Sequence, residues 1–249
     1  MDRQSFARPA RAAHPIVGPL SDASVAKLLD RALARGDERV LDLGCGEGEW
    51  LLRALAGRPG VTAEGVDVVD AGFARAREAA ARMGAGDRLV LHRQDASAYT
   101  ASAPFDVVLS VGATHAFGGL LPTLAAARAH LAPGGRVIVG EGFWERPPDT
   151  ATLDVLEVAP DDYDDLATTV DRVVADGWVP VHGHVSTPEE WNDFEWAWSG
   201  ATAQWALDHP EDPVSADVLE AAAEHRTGWL NGYRGTLGFV TLVLRPVPR

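Results

Sequence analysis

The chain has 249 residues, a formal net charge of −14, 46% hydrophobic residues and 23% charged ones, an ordinary balance for a globular protein with one sizeable core and an elaboration. The acidic excess argues against nucleic acid as a partner, no run of 18 apolar residues offers a membrane span, and the opening MDRQSFARPAR lacks the apolar core of a secretory signal. The single cysteine, Cys45, excludes an internal disulfide and a thiolate-rich metal site, so no metal is expected.

Residues 1–20 read as a Pro-rich leader with little periodicity, including His14-Pro15 and Gly18-Pro19. Ser21 or Ser24 is the predicted cap of a first helix whose apolar face runs Val25, Leu28, Leu29 and Leu33. Val40 to Leu43 is a short buried strand that enters Gly44-Cys45-Gly46-Glu47-Gly48, and a helix is predicted over 48–57. Val61 to Val69 is the second strand, followed by a helix over 71–84 with Asp70 as its N-cap. Leu89 to His92 and Phe105 to Val111 are the third and fourth strands, and a helix over 119–131 follows. Pro133-Gly134-Gly135 reads as a turn before a fifth strand ending near Val139; Glu141 to Pro148 is a loop closed by two prolines. A helix over 161–176, a sixth strand at Trp178 to Ser186 and a last strand at Thr236 to Leu244 complete the pattern. Strands alternating with helices imply an α/β fold, a doubly wound Rossmann-like sheet.

About fifty residues separate the last two strands, where a tight turn would suffice. Thr187 followed by Pro188 is a strong helix start, and a second helix begins near Val214. Trp191, Phe194, Trp198 and Trp205 recur at helical spacing in the first of these, with Trp196 off the stripe. That stripe reads chiefly as the face by which an inserted helix packs on the core; one ring of it can still face a ligand pocket. The resulting division is a leader over 1–20, an α/β core over 21–186, a helical cap insertion over 187–234 and the final strand over 235–249.

The turn after the first strand carries the chemistry. Glycines let the backbone bend tightly and approach a ligand closely, since no Cβ intervenes. The spacing is G-x-G-x-G after Asp42, not the G-x-G-x-x-G of a dinucleotide site, and no Lys-Ser/Thr pair makes a phosphate loop.

With Asp42, Gly44, Gly46 and Gly48 matching position by position, the sequence resembles the class I S-adenosylmethionine-dependent methyltransferases. The resemblance covers roughly residues 38–142 and implies a seven-stranded, mostly parallel sheet with an antiparallel last strand. It implies that Asp67, 23 residues after Gly44, accepts from both ribose hydroxyls, and that Asp95 accepts from the adenine amino group. Taken singly, Asp67 reads as a solvated strand end and Asp95 as a helix cap; their order and spacing at strand ends favour the ligand role. Cys45, Val68, Ala96 and Ser110 complete the expected cofactor set.

Methyl transfer demands alignment of a nucleophile and exclusion of water, and a general base helps a hydroxyl or protonated amine. His115 and Glu141 are the catalytic candidates, and a histidine that only hydrogen-bonds at a helix start is an equal reading of the first. His14, Phe143, Trp144, Trp191, Trp198 and Tyr233 are the candidates for holding the acceptor, with His14 and Tyr233 as further bases. The expectation is a cytoplasmic bacterial enzyme, monomer or homodimer, moving a methyl group to a small-molecule acceptor by in-line displacement. The alternative is a protein of the same fold that binds the cofactor without turnover.

Overall fold

The computed structural model describes residues 9–248. The first eight residues of the predicted leader, and Arg249 of the predicted final segment, lie outside the described residues. Among the described residues seven strands form one sheet: β1 (Arg39–Leu43), β2 (Thr62–Asp67), β3 (Leu89–Arg93), β4 (Phe105–Val111), β5 (Leu131–Trp144), β6 (Trp178–Val185) and β7 (Leu237–Pro246). Their order is β3-β2-β1-β4-β5-β7-β6, and the pairs β3–β2, β2–β1, β1–β4 and β4–β5 are parallel. Ser186 N–H donates to Phe239 O and Val247 N–H to Gly177 O, so β7 runs antiparallel to β6. In β1, Val40, Leu41 and Leu43 are all fully buried, the continuous apolar run of a strand covered on both faces.

Strand order reverses where β1 meets β4 beside β2. Open parallel sheets bind ligands outside the carboxyl ends of the strands at such a reversal. The glycine turn and the residues following β2, β3 and β4 all stand at that end.

The helices, in chain order, are α1 (residues 9–13), α2 (Asp22–Ala32), α3 (Glu49–Leu55), α4 (Phe73–Arg82), α5 (Leu120–His130), α6 (Thr150–Leu156), α7 (Leu166–Ala175), α8 (Pro188–Asp208) and α9 (Ser215–Gly228), with a π-helical turn over Trp229–Tyr233. Several differ from expectation. Asp70 does not cap α4: the cap is Gly72, and Asp70 lends only its carbonyl, to Phe73 N–H, while its carboxylate stands 3.5 Å from Arg93. β5 starts at Leu131 and passes through the predicted turn at Pro133-Gly134-Gly135 as an irregular register against β4, then continues through the predicted loop to Trp144. α6, opened by the side chain of Asp149 on Thr152 N–H, was hidden behind Pro147-Pro148. α7 begins at Leu166, not 161, because Asp164 O and the Asp165 bridge are engaged by Trp144.

The described chain falls into two compact units. The core unit gathers Asp22–Glu141, Ala167–His184 and the chain from Val240; the cap unit gathers the residues up to Ser21, Gly142–Leu166 and Val185–Phe239.

Within the cap unit, α8 starts on a complete capping box. Thr187 Oγ1 accepts from Glu190 N–H, and the Glu190 carboxylate accepts from Thr187 N–H. The other oxygen of Glu190 accepts from Ser21 N–H and Oγ–H, which ties the chain before α2 to this helix start. The expected aromatic stripe is not the buried face of α8. Its buried residues are Glu190, Glu195, Ser199, Thr202 and Ala206, while Trp191, Phe194, Trp198 and Trp205 are half-exposed along the flanks. Small side chains let α8 and α9 approach closely, and α9 answers with Ser215, Val218 and Ala222.

Candidate functional site

Backbone bonds to β2 and within the turn itself fix the chain after β1. Gly44 and Cys45 donate to Val66 O at 2.9 and 3.0 Å, and Gly48 donates to Cys45 O at 2.8 Å. Gly44, Gly46 and Gly48 all have positive φ (85°, 53° and 81°), a region other residues enter at a cost of about 1–2 kcal/mol. The three are not equivalent. A Cβ on Gly44 would come within 2.4 Å of the Ala113 Cβ, one on Gly48 would rest 3.4 Å from Ala76, and one on Gly46 would meet nothing within 4 Å. Gly46 therefore presents bare backbone to open space.

Asp67 organises this end of the sheet. One carboxylate oxygen accepts Gly46 N–H at 2.8 Å, the other accepts Val69 N–H at 2.9 Å, and its carbonyl accepts Gln94 N–H at 2.9 Å. Each carboxylate oxygen keeps a second lone pair for another donor. Val68 beside it is 60% exposed. Asp42, at the end of β1, is 3% exposed; burial, reinforced by the charge of Asp67, pushes its carboxyl up to about 7. Burial with the same two acids raises the Cys45 thiol well above its ordinary range, so the cysteine is packing and not a nucleophile.

Asp95 caps the short 3-10 turn over Ala96–Ala98. One of its oxygens accepts both Ser97 N–H and Ser97 Oγ–H, which holds its carboxyl below the usual range. The cap role leaves the second oxygen of this exposed carboxylate for a further donor. Ala96 is buried, and Ser110 is fully buried with an Oγ that has no hydrogen-bond partner among the described residues. His115 is exposed in the 3-10 turn that follows β4, and Glu141 is half-buried on β5.

The residues of the core unit fit S-adenosylmethionine. Gly46 offers a place where no side chain blocks approach, and Asp67 and Asp95 are acceptors suited to the hydroxyls of a ribose and to an amino group. Among the described residues no group of three His, Cys, Asp or Glu side chains is placed to hold a metal ion.

In the cap unit a cavity of about 510 Å³ is lined by Ser186, Trp191, Asn192, Trp229, Tyr233 and Arg234, among others. Of the expected acceptor residues it takes in Trp191 and Tyr233. The other four lie elsewhere. Phe143 is fully buried, its ring pressed where Gly238 lacks a Cβ, and Trp144 is buried against Tyr163 with its indole N–H on Pro160 O. Trp198 stacks on His225 at 4.0 Å, and His14 is turned to Ile16 O and to the edge of Phe194.

Tyr233 is not placed to act as a base. Its hydroxyl donates to Glu195 at 2.8 Å, and burial with that carboxylate raises the phenol far above its ordinary range. The second oxygen of Glu195 meets His225 Nε2 at 2.6 Å, so a carboxylate 2% exposed joins α8, α9 and the π-helical turn. Sequence reasoning missed Glu195, His225 and Ser186. A lone acid inside an aromatic stripe was the available signal for Glu195; Ser186, next to the Thr187 cap, gave none.

Comparison with known proteins agrees with this geometry. Residues 40–135 match the model of a methyltransferase domain. The chain is 29% identical over 209 residues to the uncharacterized protein YjhP of Escherichia coli, covering 82% of this chain and 83% of that one. A methyltransferase of Geobacter sulfurreducens, crystallised with S-adenosyl-L-homocysteine, superposes with a TM-score of 0.87 at 26% identity, over 97% of this chain and 98% of that one. Over a shorter stretch, 43% of this chain and 39% of the other, this chain is 32% identical to the 27-O-demethylrifamycin SV methyltransferase of Amycolatopsis mediterranei. Turn geometry, strand order and end-to-end likeness point the same way: residues 40–135 carry a methyltransferase domain, in a chain that is similar over almost its whole length to an S-adenosylmethionine-dependent methyltransferase.

Proposed function

We propose that this methyltransferase acts on a small molecule whose binding side chains come from the cap unit. The observation that supports this reading is the cavity of about 510 Å³ walled by Trp191, Trp229 and Tyr233. That volume suits a compact organic molecule, and aromatic walls with a few polar groups are the usual make-up of such sites. The net charge of −14 weighs against a nucleic acid acceptor.

When bound, S-adenosylmethionine supplies an electrophilic methyl group on a sulfonium that carries its own leaving group. The chain's own residues then bind, orient and move a proton. Gly46 and Asp67 form the cradle, and Asp95 is the proposed partner of an exocyclic amino group. His115 and Glu141 are the proposed groups for holding or accepting the acceptor's proton, a neutral imidazole or a carboxylate being suited to either task.

The test is formation of S-adenosylhomocysteine by the purified chain with three acceptor pools: a small-molecule extract, total RNA and unfolded protein. Turnover confined to the small-molecule pool is expected. Turnover with RNA or protein alone overturns the reading, as does failure to bind S-adenosylhomocysteine.

A further inference from the structure

Two residues of the cap-unit cavity, Ser186 and Trp191, carry buried polar atoms with no hydrogen-bond partner among the described residues. Ser186 Oγ and Trp191 Nε1 are also shut off from water, whereas other polar side chains of the unit are matched: Thr187 with Glu190, Tyr233 and His225 with Glu195. Buried polar atoms are normally paired, and each exception in a native protein asks for an explanation. Three aromatic residues, Trp191, Trp229 and Tyr233, line the same cavity. The wall that carries Tyr233 is a π-helical turn, a distortion that tends to mark functional sites.

We propose that this cavity takes a neutral, planar ring compound bearing an oxygen that accepts a hydrogen bond, a phenol or aryl carbonyl, and that Trp191 Nε1 and Ser186 Oγ are the groups that select it. The proposal rests on the reading that the cap unit holds the acceptor. An indole N–H only donates, so its partner must accept; a serine hydroxyl can do either and tolerates both oxygen types. Both atoms are covered in this state, so the ligand reaches them as the cavity wall gives way.

Charge favours a neutral ligand. The donors at the start of α8 are already consumed, Glu190 N–H by Thr187 and the chain around it by the Glu190 carboxylate. Arg146 spends Nε on Gly235 O at 2.7 Å, and Glu145 lines the cavity beside it. Arg234 lies 5.9 Å over the ring of Trp229. Among the described lining residues the cations are Arg146 and Arg234, offset in part by the carboxylate of Glu145.

The experiment uses ligand-detected NMR on the full chain with three probes of one shape: 2-naphthol, naphthalene and 2-naphthoate. Binding is expected in the order 2-naphthol, naphthalene, 2-naphthoate. Ser186→Ala and Trp191→Phe should each weaken 2-naphthol by about five- to tenfold, the loss of one hydrogen bond, and leave naphthalene unchanged. Thermal unfolding of the ligand-free variants should stay level or rise, since each substitution removes an unpaired buried group. Preference for 2-naphthoate, binding of 2-naphthol by both variants as tight as by wild type, or a fall in the stability of Ser186→Ala overturns the proposal. Calorimetry with S-adenosylhomocysteine separates the two levels. Wild type that binds it but rejects 2-naphthol loses the ligand class and keeps its methyltransferase reading, whereas wild type that rejects both loses both.

Discussion

Asp67 accepts the backbone N–H of Gly46 at 2.8 Å, and through this bond the end of β2 holds the middle of the glycine turn in place before any ligand arrives. The same carboxylate holds Val69 with its other oxygen. A group engaged twice by the backbone is preorganised, so a ligand hydroxyl that adds to it meets little further ordering cost.

Asp67→Asn should therefore fold. An amide keeps one accepting oxygen and loses the other, at an expected stability cost of about 1 kcal/mol. Affinity for S-adenosylhomocysteine should fall by at least about tenfold, since hydrogen bonds to a charged acceptor are worth roughly 1.5–3 kcal/mol. Calorimetry reads the second effect and thermal unfolding the first. Unchanged affinity would remove Asp67 from the cofactor site.

Gly44→Ala and Gly46→Ala should fail in different ways. At Gly46 the added methyl meets nothing within 4 Å, so the fold bears only the left-handed strain of about 1–2 kcal/mol while the methyl stands on the proposed approach of the cofactor. Gly44→Ala adds a collision with the Ala113 Cβ at 2.4 Å and should be the less stable of the two. The double variant Gly44→Ala with Ala113→Gly should recover part of that loss. No recovery in thermal unfolding would mean that the contact with Ala113 is not what forbids a side chain.

Legibility followed the local signals. β4 spans Phe105–Val111 as its apolar run predicted, and α8 starts on the Thr187-Pro188-Glu189-Glu190 box that announces it. β5 was unreadable in length because Pro133, Gly134 and Gly135 look like a turn, whereas a strand can absorb them as an irregularity against Asp106 and Val107. The buried face of α8 was unreadable for a different reason. Its seam is Glu195, Ser199 and Thr202, polar or small residues that periodicity assigns to solvent, and Glu195 is acceptable inside only because Tyr233 and His225 meet it. Those partners lie 38 and 30 residues away, beyond any local pattern. The same distance hid the wall of the cavity.

Asp42 should give the protein a recognisable pH dependence. Its carboxyl is pushed up to about 7 in the folded chain from an ordinary 3.8, chiefly through burial and then through Asp67. Between those values the folded state holds a proton that the unfolded state has released, so stability falls as pH rises across that window and is level above it. Each unit of pH in the window is worth up to about 1.4 kcal/mol. Asp42→Asn lacks this slope, so the variant should gain on wild type in thermal unfolding as pH rises from about 4 to about 7. Parallel curves for the two proteins would show that Asp42 ionises at its ordinary range.

Cys45 should be silent in the native protein. Its thiol is buried, raised by burial and by Asp42 and Asp67, and its sulfur fills the space where Gly65 has no Cβ. Iodoacetamide at a pH of about 8 should leave the native chain unmodified and label it once after unfolding, because only the thiolate reacts. Labelling of the native chain at the rate of a free thiol would place Cys45 at the surface of the turn.

Glu195 should act as the keystone of the cap unit, and its energetics can be measured apart from catalysis. Tyr233→Phe removes one donor and should cost about 1–2 kcal/mol; Glu195→Leu leaves a buried phenol and His225 without their acceptor and should cost about 2–4 kcal/mol. Because both substitutions break the same bond, the double variant should lose less than the sum, with an interaction of about 0.5–3 kcal/mol in a double-mutant cycle. Glu195→Gln keeps an oxygen for Tyr233 and should be the mildest of the three. Additive losses in the cycle would show that the 2.8 Å contact contributes nothing of its own, and that Tyr233 is held by the packing of the π-helical turn alone.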